Sequence, residues 1–466
     1  MENARHLLLA YYGDDFTGST DALEFLSRAG AKTVLFIEPP TPQMLARYDG
    51  LQAIGVAGMT RAMPPEEMEK TLRPAFEALK ALEVPHIHYK VCSTFDSSPQ
   101  IGSIGKAINV GAEVFNALFI TLLVAAPALG RYCVFGNLFA RMGIGSQGEI
   151  FRLDRHPSMS RHPVTPADES DLRLHLARQT EKTIGLIDVL KLAEDELSVE
   201  QKLVSQIDSG KQVILFDALS EEHLGTIGKL IDKYATADKP LFSVGSSGIN
   251  MALGKYWAEQ GLLQPKANWP NAGKAENMLV VSGSCSPVTA KQIAYAVEHG
   301  FAEIALDTSL IAISSDLENT VEVYINWIAE VIDRGIPVIV HTSLGTDDPR
   351  FGKTYQTFIA EGLTPNAIRI KTAELFGTAL GLIAVGVAGK TTLKRMIIAG
   401  GDTSGYVARA MGIEAVEMIS PISPGAPLCK AYAPGSPAHG LEVNFKGGQV
   451  GSEDYFETVL QGKNIS

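Results

Sequence analysis

Cysteine is scarce: Cys92, Cys133, Cys285 and Cys429 lie far apart in 466 residues and form no C-x-x-C pair. That spacing argues against a disulfide framework or a structural zinc site, and fits reduced thiols in a cytoplasm. Basic residues are also in deficit, 40 Lys and Arg against 52 Asp and Glu, a net charge of −12. Such a balance speaks against a nucleic-acid or anionic-membrane surface and leaves room only for a local basic pocket. Long apolar runs are missing too. The stretch "VFNALFITLLVAAPALG" from Val114 is too short to span a bilayer and contains a proline, so it reads as a helix end and a core strand. The opening "MENARHLLLAYYGDD" has an apolar run soon cut by charge, and is not expected to be a signal peptide. No short repeat or low-complexity tract is visible.

What is present is an alternation of strand-like and helix-like segments. Leu7 to Tyr12 reads as a buried strand, "DALEFLSRAG" as the following helix with Gly30 at its C-cap, and "KTVLFI" as the next strand. The strand series continues through "LQAIGVAG", "HIHYKVCST", "NALFITLLVAAP", "KTIGLIDV", "QVILFDA" and "PLFSVGSSG". Between them lie "PEEMEKTLRPAFEALKAL", an amphipathic helix, and "RHPVTPADESDLRLHLARQT", a capped helix expected to start near Thr165 or Asp168. Near residue 260 the pattern breaks in the proline-containing, aperiodic "EQGLLQPKANWPNAGKAEN", then resumes. The length exceeds one typical core. The expectation is an α/β fold of two domains, 1–255 and 277–466, joined by a linker over 256–276. Each is a mostly parallel sheet flanked by helices, with the active site expected in the cleft between them.

Two motif matches are set aside. "GIGSQG", Gly143 to Gly148, fits G-x-G-x-x-G by letter, but "EIFRLDRHPSMSRHP" follows it where a helix must begin. "GKTT" at Gly389 resembles the end of a Walker A loop, yet the required first glycine is Ala384, and the segment reads as a helix C-cap.

The chemistry-bearing stretches are loops after strands. In the second half, "GSCSP" carries Gly283, Ser284 and Ser286 before Pro287, a residue suited to a helix's first turn. "GGDTSG" carries Gly400, Gly401, Asp402, Thr403, Ser404 and Gly405. Exposed N–H groups and hydroxyls at a helix start form an anion site, and two such loops in one domain point to a polyphosphate, hence a nucleotide. A third loop, "HTSLGTDD", is looser, with no clear helix after it. In the first half, "GDDFTGSTD" supplies Asp14, Asp15, Thr17, Ser19 and Asp21. "YKVCSTFDSSP" supplies Lys90, Ser93, Thr94, Asp96 and Ser97, and "AGMTRAMP" supplies Arg61. Carboxylates accept hydrogen bonds from sugar hydroxyls, while lysine and arginine bind carboxylate or phosphate. The plainer alternative is that the acids stabilise helix N-termini and the bases are solvated. "SVGSSGINMALG" is taken as a structural turn, and His156, His162 and His341 as loop histidines, since no metal-ligand spacing joins them.

Together these blocks resemble the four-carbon acid sugar kinase family, bacterial enzymes that phosphorylate acids such as threonate, erythronate or 3-oxo-tetronate with ATP. The resemblance rests on "GDDFTGSTDA", "KVCSTFDSSP", "GSSGI", "VVSGSCSPVTAKQI", "AGGDTSG" and "KGGQVGSEDYF", in order, over nearly the whole chain. It implies an N-terminal substrate domain and a C-terminal nucleotide domain. It further implies that Ser284, Ser286, the Gly400–Gly405 loop and Gly448 contact ATP, and that Asp14, Asp15, Arg61, Lys90, Ser93, Thr94 and Asp96 surround the acid sugar. The tail departs from the K-S-G-N-F-G of many relatives, with Gly447 in place of the serine. The segment "VFGNLFARMGIGSQGEIFRLDRHPSMSRHP" is longer than in compact members and bears on substrate identity. An older label of the family as a tRNA synthase finds no basic stripe here.

The expected reaction is transfer of the γ-phosphoryl of Mg-ATP to a hydroxyl, the terminal one, of a small acid sugar. Arg61 and Lys90 would hold the substrate carboxylate, and Asp14, Asp15 and Asp96 its hydroxyls. Asp402 is the preferred general base, with Mg²⁺ coordination as its other role, and Asp15 is the competitor. The partners expected are an acid sugar and ATP, with a homo-oligomer left open. Two rivals remain: a nicotinamide-dependent sugar-acid dehydrogenase, which lacks a well-placed dinucleotide loop, and a non-catalytic sugar-acid sensor.

Overall fold

In the computed structural model, β1 (Leu9–Gly13) is buried at every position, as a strand covered on both faces must be. The structure describes residues 7–464 apart from 143–147, 163 and 346, so most of the "GIGSQG" match lies outside the described residues. The chain parts into two units between Ala267 and Asn268.

In the first unit β1 is followed by the helix Phe16–Arg28 and then by β2 (Thr33–Phe36) and β3 (Ala53–Ala57). The main series continues with β4 (His86–Lys90) and β5 (Ile120–Leu123). A three-stranded antiparallel sheet interrupts it, β6 (Arg131–Val134), β7 (Asn137–Arg141) and β8 (Ile150–Arg152). Then come β9 (Ile184–Ile187), β10 (Val213–Phe216) and β11 (Leu241–Gly245). The large sheet runs β2-β3-β1-β4-β11-β5-β10-β9, with every pair parallel. Parallel pairing aims all these strand ends the same way, so the loops after β3, β1, β4, β11 and β5 share one edge.

The second unit contains β12 (Met278–Ser282), β13 (Ala302–Ala305), β14 (Val338–His341), β15 (Arg395–Ala399), β16 (Ala415–Ser423), β17 (Ala426–Tyr432) and β18 (Glu442–Lys446). The order β13-β14-β12-β15-β18 is parallel, and β17 and β16 extend it antiparallel. Met278, Val280, Ile339, Ile397, Tyr455 and Phe456 belong to the core on one face.

Several local expectations change. The helix expected near Thr165 or Asp168 is Leu172–Ala177, capped by Asp171, whose side chain accepts from the Arg173 N–H. The third loop does lead into a helix, Pro349–Ala360, capped by Asp348; the intervening "SLGTDD" hid it by its turn composition. Gly389 sits inside the last turn of the helix Pro365–Lys390 rather than capping it. That 26-residue helix is apolar and long enough over Ala367–Lys390 to cross a membrane by length and composition. Here it packs on the helices Leu317–Ile332 and Gly401–Ala410. Its Gly377, Gly381 and Gly386 leave no room for a side chain beside Tyr406, Ala410 and Ile325, so the three helices pack closely there.

Candidate active site

In the first unit the site begins where β1 ends. Asp15 caps the helix Phe16–Arg28: its Oδ1 accepts from the Gly18 N–H at 2.7 Å and its Oδ2 from Thr17 Oγ1 at 2.7 Å. Arg61, in the turn Thr60–Ala62 after β3, then bridges both carboxylates. Its Nε and Nη2 donate to Asp14 at 3.2 and 2.8 Å, and its Nη1 and Nη2 donate to Asp15, both at 2.9 Å. Burial lifts the Asp14 carboxyl above its ordinary 3.8 against the pull of Arg61. Burial alone would lower the Arg61 guanidinium, but the Asp14 and Asp15 charges outweigh it and hold it well above its ordinary value. The three residues singled out here therefore come together, bonded first to one another.

Lys90, the last residue of β4, is buried; its Nζ donates to the Val91 carbonyl at 3.0 Å and stands 3.5 Å from Asp21 Oδ2. Ser247, in the turn after β11, donates to the same Asp21 oxygen. Sequence reading took "GSSG" as structural; only the β4–β11 neighbourhood brings its serine to Asp21. Ser93 and Thr94 are buried in the loop after β4, and Thr94 Oγ1 lies 2.9 Å from Cys92 Sγ. Burial pushes the Cys92 thiol up to about 11, so it stays protonated at neutral pH. Asp96 lines a small cavity with Thr94, Ser97 and His175, and its Oδ1 is buried without a partner.

In the second unit the loops after β12, β15 and β18 crowd one another. Ser286 caps the helix Pro287–Glu298, accepting from the Val288 N–H at 3.2 Å. Gly400, at φ +126°, leads into the helix Gly401–Ala410; a methyl there would stand 2.7 Å from Thr403 Oγ1. A methyl on Gly448 would stand 2.9 Å from Ser284 Oγ, so the two loops touch only because this residue has no side chain. Two helix N-termini thus open onto one group of small residues, the arrangement that binds anions. Ser404 does not add a donor: its hydroxyl is buried and donates to the Gly400 carbonyl at 2.7 Å. Gly401 opens this helix and Gly405 lies one turn further on.

A residue not picked out from sequence, Lys446, ends β18 at this place. Its Nζ donates to Thr289 Oγ1 at 3.1 Å and to the Gly447 carbonyl at 2.9 Å, and burial pushes its ammonium down from 10.5 to about 7. Beside these loops lies a cavity of about 340 Å³, reached by Gly283, Cys285, Asp402 and Thr403 and walled by Phe351, Tyr355 and Phe376. The aromatic wall comes from the helices Pro349–Ala360 and Pro365–Lys390, far from any loop motif, so nothing local announced it. Asp402 is exposed at the cavity's edge in the first turn of its helix.

An acidic, polar site at the parallel strand ends of the first unit, and an anion cradle beside an aromatic-walled cavity in the second, are the parts of a small-molecule phosphotransferase. Two family models match the chain: a sugar-binding N-terminal domain over residues 9–253 and a nucleotide-binding C-terminal domain over 279–456. The chain is 42% identical to a 3-oxo-isoapionate kinase from Paraburkholderia graminis over 98% of its length and 95% of that protein's. It is 29% identical to a 3-oxo-tetronate kinase from Salmonella typhimurium over 97% and 98%. A crystal structure from Salmonella typhimurium LT2, described as that of a tRNA synthase, matches with a TM-score of 0.73 and 26% identity over 97% of this chain and 98% of that one. The chain belongs to the four-carbon acid sugar kinase family, and it is a sugar-acid kinase.

Proposed function

We propose that the protein transfers the γ-phosphoryl of ATP to a hydroxyl, the terminal one, of a 3-oxo acid sugar, with 3-oxo-isoapionate first and 3-oxo-tetronate second among candidates. The 42% identity over nearly full length to a kinase named for the first acid carries the substrate choice. In this reading 1–255 is the acid-sugar domain, 256–276 the linker and 277–466 the nucleotide domain, working in a cytoplasm that leaves all four cysteines as free thiols.

The chemistry follows from the residues. The N–H groups at the starts of Pro287–Glu298 and Gly401–Ala410, with Ser284, Ser286 and Thr403, hold the phosphates, and Gly283, Gly400 and Gly448 let them approach the main chain. The aromatic-walled cavity takes the nucleoside. Charge that builds on the transferring phosphoryl meets donors already fixed in place. Mg²⁺ in such reactions is held by one or two carboxylates together with substrate phosphates, and it neutralises phosphate charge. Asp402 fits that requirement, and among the described residues no group of three or more His, Cys, Asp or Glu side chains forms a metal site of protein ligands alone. Asp402 also remains the preferred acceptor of the hydroxyl proton. Asp15 is less suited, since both its oxygens already accept two hydrogen bonds each. Lys90, Ser93, Thr94 and Asp96 contact the sugar.

The test is ADP release by the purified protein with Mg-ATP across 3-oxo-isoapionate, 3-oxo-tetronate, threonate and erythronate. Turnover highest with a 3-oxo acid supports the reading. Turnover only with threonate or erythronate moves the substrate, and ATP binding without turnover on any acid removes the kinase assignment for this panel.

A further inference from the structure

The segment after β5 turns through Pro127–Leu129 into β6, which places Arg131 at the edge of the large sheet that carries the acidic loops. Arg131 is 5% exposed. Its Nη1 donates to the carbonyls of Leu129, Gly130 and Arg141 at 3.0, 3.3 and 3.1 Å. Its Nε is buried and has no partner, and among the described residues no carboxylate pairs with this guanidinium. Burial lowers the Arg131 guanidinium from its ordinary value, and the Asp96 and Asp21 carboxylates are among the charges that oppose it.

Two carboxylate oxygens of this neighbourhood are orphaned as well. Asp96 Oδ1 and Asp21 Oδ1 are buried without hydrogen-bond partners. A purely structural arginine on the same edge as two carboxylates that each bury an unused oxygen would be expected to pair with one. Here groups of opposite sign are kept apart, each with an unused bonding position. What satisfies both is a small molecule with an anionic end for the guanidinium and hydroxyl donors for the acids. Arg61, the other arginine of the site, already makes four hydrogen bonds to Asp14 and Asp15.

We propose that Arg131 binds the carboxylate of the acid sugar through the Nε edge of its guanidinium, while Asp96 accepts from a hydroxyl of the same molecule. The proposal rests on the sugar-acid reading of this unit, and adds the residue that selects acids over neutral sugars. Arg131 opens the β6–β8 insert, so the insert supplies specificity.

The experiment is calorimetric binding of 3-oxo-tetronate, erythronate and threonate, and of the uncharged polyols erythritol and threitol, to the full-length protein, its Arg131→Gln variant and its Arg131→Lys variant. Losing a charge-assisted bond to a carboxylate corresponds to about a 10- to 150-fold fall in affinity. Arg131→Gln is expected to lose that much for the acids and nothing for the polyols, with ATP affinity unaltered. Acid affinity equal to wild type, or equal losses for acids and polyols, overturns the proposal. Should Arg131→Gln fail to fold, Arg131→Lys decides, because it keeps the charge without the planar fork. Weakened acid binding with intact polyol binding upholds the proposal, and unaltered acid binding overturns it. A wild-type protein that binds none of the three acids overturns the sugar-acid reading and this assignment together, whereas acid binding without ADP release removes only the kinase step.

Discussion

Arg61 meets Asp14 edge-on, donating from Nε to one carboxylate oxygen and from Nη2 to the other at 3.2 and 2.8 Å. The same guanidinium turns its other edge to Asp15. One cation thus fastens the loop after β3 to the loop after β1, and the main chain repeats the link, the Arg61 N–H donating to the Asp14 carbonyl at 2.9 Å.

Removing that cation leaves two buried carboxylates facing each other. Arg61→Gln is expected to lower unfolding stability by about 3 kcal/mol, the lower end for a broken buried pair because Arg61 remains 25% exposed. Urea titration checks this, and a loss under 1 kcal/mol would show the fork to be dispensable.

Asp402 and Asp15 are expected to part in behaviour. Asp402→Asn should cut kcat by about 10² to 10⁴-fold with little change in melting temperature, because the residue is exposed. Asp15→Asn removes charge from a helix cap and from Arg61, so melting temperature should fall along with acid-sugar binding. Steady-state kinetics and thermal melts on the pair decide; a normal kcat in Asp402→Asn excludes it as the base.

Gly400 carries the positive φ that starts the proposed phosphate loop. Gly400→Ala adds strain of about 1–3 kcal/mol and drives a methyl against Thr403. ATP-analogue binding should weaken more than 100-fold, about 2.7 kcal/mol. Erythronate binding to the first unit should be untouched. Calorimetry with each ligand separates the two.

Lys446 predicts a pH signature. Unfolded, its ammonium keeps the proton to about pH 10.4; folded, burial releases it near pH 7. Between those values the unfolded chain binds more protons, so stability rises with pH across this window. Lys446→Met lacks that slope. Wild type should therefore gain on the variant from pH 7 to pH 9 in paired urea titrations, and parallel curves would count against the buried ammonium. Nucleotide phosphates favour the charged form, so ATP binding near pH 8 should take up a proton, read from calorimetry in buffers of different ionisation enthalpy.

Much of the fold is legible in the chain because parallel strands covered on both faces are continuous apolar runs. "LAYYG", "MLVVS" and "RMIIA" announce β1, β12 and β15 by composition alone. The antiparallel pieces are less visible. β6–β8 mix polar and apolar residues and stand among prolines and glycines, and "AVEMISPIS" hides β16 behind a proline. Asp14, Lys90, Ser284 and Asp402 were legible as candidates because ligand loops of parallel sheets fall at or just after strand ends. Arg131, Ser247, Lys446 and the aromatic wall carry no local signature.

The sequence by itself determined the βα order, the small-residue loops after β12 and β15 and the family. Those follow from local preference and from motifs a few residues long. Only the tertiary structure decided which loops are neighbours, because strand order in a parallel sheet is set by crossovers rather than by adjacency in the chain. It put β11 between β4 and β5, which carries Ser247 to Asp21. It also buried Arg131 Nε and Asp96 Oδ1 and left each without a partner. Burial then set the charges, since the same amine that is ordinary in water loses its proton near pH 7 once water is excluded, as at Lys446.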